Sequence, residues 1–254
     1  MIIASRLIAI LILPCASANA GLIAYWTGNG NALDSSGNNH DGAVNGAGYG
    51  PGVIGQAFQF DGIDDYVEIP GAASLEPTTI SVAMWVNATS TGKIQLLADT
   101  SHGLGSNNNG WALQIQTDNR ASFAYGNGSS FPEVYSSSIV ADGTFHHVVG
   151  TLDGSDLRMY VDGVFESSVA YTGTPGDSTA NGGNVRLGDH YHSTVSRPVN
   201  GLIDEVRIYD HALSLSEVQS LAGVAVPEAN SLAVLCLTGI GLLWTRRRRI
   251  QNAN

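Results

Sequence analysis

The sequence predicts an all-β domain, an antiparallel sandwich or barrel, and three observations carry that prediction. Short alternating or apolar segments recur along the chain, punctuated by Asp-Gly pairs at 61–62, 142–143, 153–154 and 162–163. Glycine accounts for 31 of 254 residues and only 13% are charged, a turn-rich composition poor in the Glu, Lys and Arg of long helices. Hydrophobic residues make up 43%, enough for a core and too many for a disordered chain. The glycines have no three-residue period, which excludes a collagen-like chain. At this length one large sandwich fits as well as two small domains.

The expected strands begin with Leu22–Trp26, Gln56–Phe60 and Tyr66–Ile69. Phe58 and Phe60 share a face by simple alternation. Ile80–Val86 follows, with Ile80, Val82, Met84 and Val86 on one face and Ala83 and Trp85 on the other. Next come Ile94–Ala98, Trp111–Gln116, Ser122–Tyr125 and His146–Leu152. In the last of these His146 and His147 point to opposite faces, so at most one is buried with its neighbours. Asp162-Gly163 joins Leu157–Val161 to Val164–Ala170 as a two-residue hairpin, because a type I′ turn needs positive φ at both positions. Val185–Leu187 and Leu202–Tyr209 close the series. Ile203, Val206 and Ile208 break strict alternation, which predicts a bulge near Asp204-Glu205. One short helix follows. Ser214 and Glu217 form a capping box, Leu215, Val218 and Leu221 share a face, and Gly223 stops it.

Charge divides the chain. The total is −11, from 11 Lys and Arg against 22 Asp and Glu, but residues 21–225 alone hold 6 basic and 21 acidic groups, a net −15. That balance excludes a nucleic-acid partner. Residues 1–20 read as a signal peptide: Arg6, the apolar run Leu7–Leu13, Pro14, and Ala18-Asn19-Ala20 before Gly21. Pro14 sits where a lipoprotein site before Cys15 takes a small residue, which argues against lipidation. Residues 21–223 form the domain, 224–230 a linker containing Val226-Pro227-Glu228, 231–245 a short transmembrane span, and 246–254 an Arg-rich cytoplasmic tail. The apolar stretch from Ala229 to Thr245 lies at the short end of a membrane span, and Arg246, Arg247, Arg248 and Arg249 hold its end in the cytoplasm. Both cysteines, Cys15 and Cys236, fall in these end segments, so the domain has neither thiol chemistry nor a Cys-type zinc site.

The tail, taken as motif, short span and arginine cluster, resembles the PEP-CTERM sorting signal of Gram-negative bacteria, with Ala229 where the motif's last residue is usually proline. The resemblance implies an exosortase-type processing enzyme as partner. The precursor is then anchored in the inner membrane, cleaved near the motif, and passed to the cell surface or extracellular space. A plain single-span anchor is the other reading.

Four phrases in the domain carry a second resemblance. They are LIAYWTGNGNALDSSGNNHDG from Leu22, AFQFDGIDDYVEIP at Ala57–Pro70 running on to ISVAMWV, FHHVVGTLDGSDLRMYVDGV at Phe145–Val164, and NGLIDEVRIYDHALSLSEV at Asn200–Val218. Together they resemble the laminin-G-like domains of the concanavalin A-like lectin/glucanase superfamily. The resemblance implies a jelly-roll sandwich of two curved antiparallel sheets. It also implies a structural calcium between the opening loop and the closing strand, with Asp34 and Asp204 as carboxylate ligands and Asn38 and His40 adding amide or carbonyl oxygen. Residues alone allow a second reading, an Asx turn at Asp34 and a surface ion pair at Asp204. Asp61, Asp64 and Asp65 form another acidic run, read either as a calcium ligand set or as a solvated loop.

Catalytic patterns are missing from the sequence. The glucanase branch implies Glu-x-Asp-x-x-Glu on one strand, and no such spacing occurs. Neither a His-Glu-x-x-His motif nor a Gly-x-Ser-x-Gly elbow is present, and His190-Tyr191-His192 lacks a third zinc ligand. The sequence therefore points to a non-enzymatic module that binds a polysaccharide or glycoconjugate, through Trp111, Tyr125, His190 and Tyr191 on loops rich in Gly and Asn. Trp26 and Trp85 read as core, while Trp111 and Tyr191 stand open between core and ligand contact. A structural or adhesion matrix protein that binds another protein is the competing class, and a glycan-active hydrolase is third.

Overall fold

The computed structural model describes residues 21–100, 108–178, 183–190 and 196–223. The signal peptide, Tyr191, His192, the Val226-Pro227-Glu228 motif, the apolar span and Arg246, Arg247 and Arg248 lie outside the described residues. Among the described residues no helix is long and apolar enough to cross a membrane.

Two antiparallel sheets pack face to face. The larger contains β1 (Leu22–Trp26), β3 (Gly48–Pro51), β4 (Gln56–Asp61), β6 (Ile80–Thr89), β11 (Asp142–Leu152), β12 (Asp156–Val161), β13 (Val164–Ala170) and β15 (Asn200–Tyr209). Its order is β13-β12-β11-β6-β15-β4-β3, with β1 pairing β15 beyond a bulge. The smaller contains β2 (Ala43–Asn45), β5 (Tyr66–Ile69), β7 (Gln95–Thr100), β8 (Trp111–Ile115), β9 (Arg120–Tyr125), β10 (Glu133–Ile139) and β14 (Val185–Leu187). Its order is β10-β9-β8-β7-β14-β5-β2.

Every expected strand forms, with bounds that shift by up to four residues, and the predicted two-sheet sandwich is correct. Alternation explains the core. Phe58, Phe60, Ile80, Val82, Met84 and Val86 meet Leu113, Ile115 and Phe123 of the facing sheet, all fully or nearly fully buried. Gly150 is required at this contact: a Cβ there would lie 2.2 Å from the Phe123 ring. Trp26 is buried as expected, and its Nε1 donates to the His40 carbonyl at 2.8 Å. Trp85 departs from expectation. It lies half-buried on the outer face of the larger sheet, against His147 at 5.2 Å, because it alternates with the core residues of β6.

Two turn predictions divide. Asp162 and Gly163 have φ of 50° and 78°, as a type I′ hairpin needs. Asp142-Gly143, expected as a turn, instead opens β11 through a register shift against β6. The bulge at Asp204-Glu205 is present, with Glu205 at φ 54°. Helix α1 (Leu215–Leu221) has the predicted capping box. Val218 and Leu221 pack on Ala83, Val149, Tyr160 and Tyr209 of the larger sheet's outer face, whereas Leu215 is exposed. Of the two outer faces, α1 thus covers part of one.

Candidate functional site

The outer face of the smaller sheet carries a continuous polar network, and strand alternation places it there. In β8, Trp111, Leu113 and Ile115 turn inward, so Gln114 turns outward and Gln116 follows just beyond the strand. In β10, Val134 is inward, so Glu133 and Tyr135 are outward. Glu133 Oε1 accepts from Gln114 Nε2 at 2.7 Å and Gln116 Nε2 at 2.8 Å, and Gln116 also donates to Ser122 Oγ at 2.8 Å. Arg197 Nη1 donates to Gln114 Oε1 at 3.3 Å. The Tyr135 hydroxyl donates to Glu133 Oε2 at 2.6 Å, and that bond, burial and the Glu133 charge push its pKa up to about 12. Tyr135 is 39% exposed, with Arg120 stacked 5.7 Å from its ring centroid.

A second layer fixes the first. Asp189 accepts from the Arg197 and His190 backbone N–H groups, both at 2.6 Å, and from Ser196 Oγ at 3.0 Å. The Arg197 carbonyl accepts from Leu96 N of β7 at 2.8 Å. The result is a preorganised set of amides, a carboxylate, a guanidinium and one accessible aromatic ring. These groups match sugar hydroxyls and the apolar face of a pyranose.

The structure corrects three of the sequence-predicted ligand residues. Trp111 is fully buried, with Nε1 donating to the Leu75 carbonyl at 2.8 Å. Tyr125 is fully buried, with its hydroxyl on the Pro77 carbonyl at 3.2 Å. Neither ring has a free face for a sugar, because both sit on the inward register of their strands. His190 is buried, with Nδ1 2.7 Å from Asp99 Oδ2. The loops next to Trp111 and Tyr125 do meet each other and the loop at Gly176. Gly110 N donates to Gly176 O, Gly126 N to Gly110 O, and Gly176 N to Gly126 O, at 2.8–2.9 Å. The residues that sequence reasoning missed are Gln114, Gln116, Glu133 and Arg197. The alternation of WALQIQ was the available signal: if the tryptophan is core, the glutamines face out.

The calcium arrangement implied by the resemblance does not fit. Asp34 Oδ1 accepts from Tyr25 N and Ser36 N at 3.0 and 2.8 Å, and Oδ2 from Ser36 Oγ and His40 N at 2.8 and 3.0 Å. Its lone pairs are spent on its own loop. Burial raises the Asp34 pKa, but those hydrogen bonds outweigh it and hold the carboxyl below its usual value. The Asn38 amide donates to the Leu22 and Ile23 carbonyls. Asp204 is elsewhere engaged: Oδ2 accepts from Val53 N and Ile54 N at 2.8 and 3.1 Å, while Oδ1 is buried without a partner, and burial raises its pKa. Asp61, Asp64 and Asp65 do converge, with one oxygen of each within 4.8 Å of the others. Asp65 there turns back to accept from Asp61 N at 2.9 Å, which spends part of the cluster on its own turn.

The two antiparallel sheets place the chain in the class of jelly-roll-like, two-sheet β domains. Residues 61–219 match the model of Laminin_G_3, in the concanavalin A-like lectin/glucanases superfamily, and the chain belongs to that family. Among curated proteins none matches. Solved structures with the same fold include the binding domain of Paraclostridial Mosquitocidal Protein 1, with TM-score 0.67 and 14% identity over 81% of this chain and 52% of that one. Domain 4 of AbnA, a GH43 extracellular arabinanase from Geobacillus stearothermophilus in complex with arabinotriose, matches with TM-score 0.61 and 22% identity over 79% and 98%. The binding domain of Botulinum Neurotoxin DC in complex with SialylT matches with TM-score 0.65 and 15% identity over 82% and 52%. The chain thus spans about half the length of the toxin binding domains.

Proposed function

We propose that the domain is a non-catalytic module that binds a polysaccharide or glycoconjugate on the outer face of its smaller sheet. The observation that carries this is the Gln114–Gln116–Glu133–Arg197 network edged by the accessible Tyr135. That the matched AbnA domain holds arabinotriose supports the ligand class. A non-catalytic role accords with Glu133, whose carboxylate is occupied by two amides and a phenol rather than poised opposite a second acid. The test is binding of the full-length protein to a glycan array. Tyr135→Ala with Gln116→Ala should lower retention at least tenfold, the loss of one stacked ring and one hydrogen-bond donor. Unchanged retention by the double variant removes this face as the site.

A second reading, adhesion through protein contact, has its own support. Tyr135, Ile139, Val164, Phe165 and Val169 are exposed on β10 and β13, the edge strands that meet along one side of the sandwich. Binding to no glycan, with loss of a protein partner on Phe165→Ser, favours it.

We further propose export and exosortase-type sorting, on the strength of residues 1–20, Val226-Pro227-Glu228 and the terminal arginines. Mass spectrometry of the surface fraction should show a chain that starts at Gly21 and ends near Glu228. A mature chain that retains Arg246–Arg249 points to the plain anchor.

A further inference from the structure

The basic residues of the described domain are Lys93, Arg120, Arg158, Arg186, Arg197 and Arg207. Against 21 acids in residues 21–225, each has many possible partners. Four arginines take them. Arg120 pairs with Asp118 at 2.7 Å, Arg158 with Asp153 at 2.6 Å and Asp156 at 3.2 Å, Arg186 with Glu68 at 3.1 Å, and Arg207 with Glu205. Arg197 and Lys93 have no carboxylate within ion-pair distance among the described residues.

Both are tied to the same end of the smaller sheet. Arg197 is half-buried and its backbone is pinned at N and O by Asp189 and Leu96, so its position is fixed. Among the described residues its guanidinium donates only to the neutral Gln114 amide oxygen, one of the five N–H donors it carries. Lys93 and Ile94, just before β7, line a pocket of about 100 Å³ with Pro198, the residue after Arg197 next but none. In the β7–β8 pairing Leu96, which holds the Arg197 carbonyl, lies opposite Gln114, which holds the Arg197 guanidinium, and Lys93 precedes Leu96 by three residues. The acids nearby are occupied: Glu133 by two amides and a phenol, Asp189 by two backbone N–H groups and Ser196. A half-buried guanidinium with a neutral partner, in a domain that pairs its other arginines, is a recognition group for an anion brought by a ligand.

We infer that the ligand of this face is an acidic glycan, whose sugar carboxylate pairs with Arg197 and is approached by Lys93. This rests on the glycan-binding proposal and adds the charge class. The net −15 of residues 21–225 opposes a polyanion at long range. At physiological salt that repulsion is screened beyond about 8 Å, so contacts on the face decide.

The test uses the full-length protein and two matched pairs of probes: polygalacturonate with its methyl ester, and sialyllactose with lactose. Within at least one pair the acid should bind about tenfold or more tightly than its neutral partner, the worth of one charge-assisted guanidinium pair. Arg197→Gln should abolish the preference, so that the acid and the neutral probe of a pair bind the variant alike. Lys93→Gln should weaken the acid about threefold, as a more exposed contact. If the unaltered protein binds acid and neutral probes equally, or if folded Arg197→Gln keeps the preference for acid, the charge class is wrong and the glycan-binding proposal survives. If none of the four probes binds, both fall. Should Arg197→Gln not fold, the comparison of acid with neutral probe on the unaltered protein decides alone.

Discussion

His146 and His147 leave opposite faces of β11, and their imidazoles shift in opposite directions. Burial works against the His146 cation, but Asp162 at 2.8 Å and Asp142 at 3.3 Å outweigh it and raise its pKa. Its contribution to stability is full below the unfolded value near 6.5 and fades as pH rises through the raised native value. His147 is buried beside Trp85 with neither ring nitrogen hydrogen-bonded, and burial with the nearby Arg207 charge lowers its pKa to about 4. The unfolded chain then binds a proton that the native state refuses, so stability falls as pH drops from 6.5 toward 4. From pH 7 to pH 5 this amounts to about 2 kcal/mol. In urea unfolding at the two pH values, His147→Gln should lose about that much less stability on acidification than the unaltered protein. His146→Gln should lose more. Equal pH slopes in all three proteins contradict the assignment. Alternation in the sequence foretold that the two rings part. The carboxylates that raise the His146 pKa come from the hairpin turn and the strand opening, and the burial and Arg207 charge that lower the His147 pKa come from the packed outer face, which only the fold brings together.

The strands that the sequence showed are mostly central ones, where a buried face demands apolar residues at every second position, with the edge strand β13 marked by its hairpin turn. Those it hid, β2, β3 and β10, all lie at sheet edges. β3 is Gly-Tyr-Gly-Pro and β2 has three residues, both short and poor in β-formers. β10 is EVYSSSI, whose serines read as loop. An edge strand needs another partner for its backbone, and here Glu166 of β13 supplies one. Its carboxylate accepts from the Ser137 and Ser138 backbone N–H groups at 3.0 and 3.2 Å, and from both serine hydroxyls. Ser167 Oγ donates to the Tyr135 carbonyl beside it. One side chain thus joins the edges of the two sheets. Glu166→Ala should cost about 1–3 kcal/mol, since it strands two backbone donors. It should also raise amide exchange at Ser137 and Ser138 more than in β6 or β15. Unchanged exchange at those two amides means that the seam is held elsewhere.

At the scale of the whole molecule, composition and order of phrases were enough for the sandwich, but not for which outer face is free. That depends on where α1 lands, and α1 lands on Ala83, Val149, Tyr160 and Tyr209, residues of three different strands and a strand end. The same limit governs the opening loop. Asp34 is an acid in an oxygen-rich turn, a pattern that serves equally for a metal ligand or for a hub of hydrogen bonds. The fold chooses the hub, because β1 brings Tyr25 N to the carboxylate while Ser36 and His40 close on it. Joined to Asn38, which bonds the Leu22 and Ile23 carbonyls, the loop is stitched to β1 by its own side chains. Thermal unfolding of the full-length protein should therefore give the same midpoint in calcium and in chelator. Asp34→Ala should lower that midpoint by about 5–10 °C in both, as several donors lose their acceptor at once. A calcium-dependent rise of several degrees that Asp204→Asn abolishes would place the ion on the closing strand after all. The bare, buried Oδ1 of Asp204 would then be the oxygen that receives it.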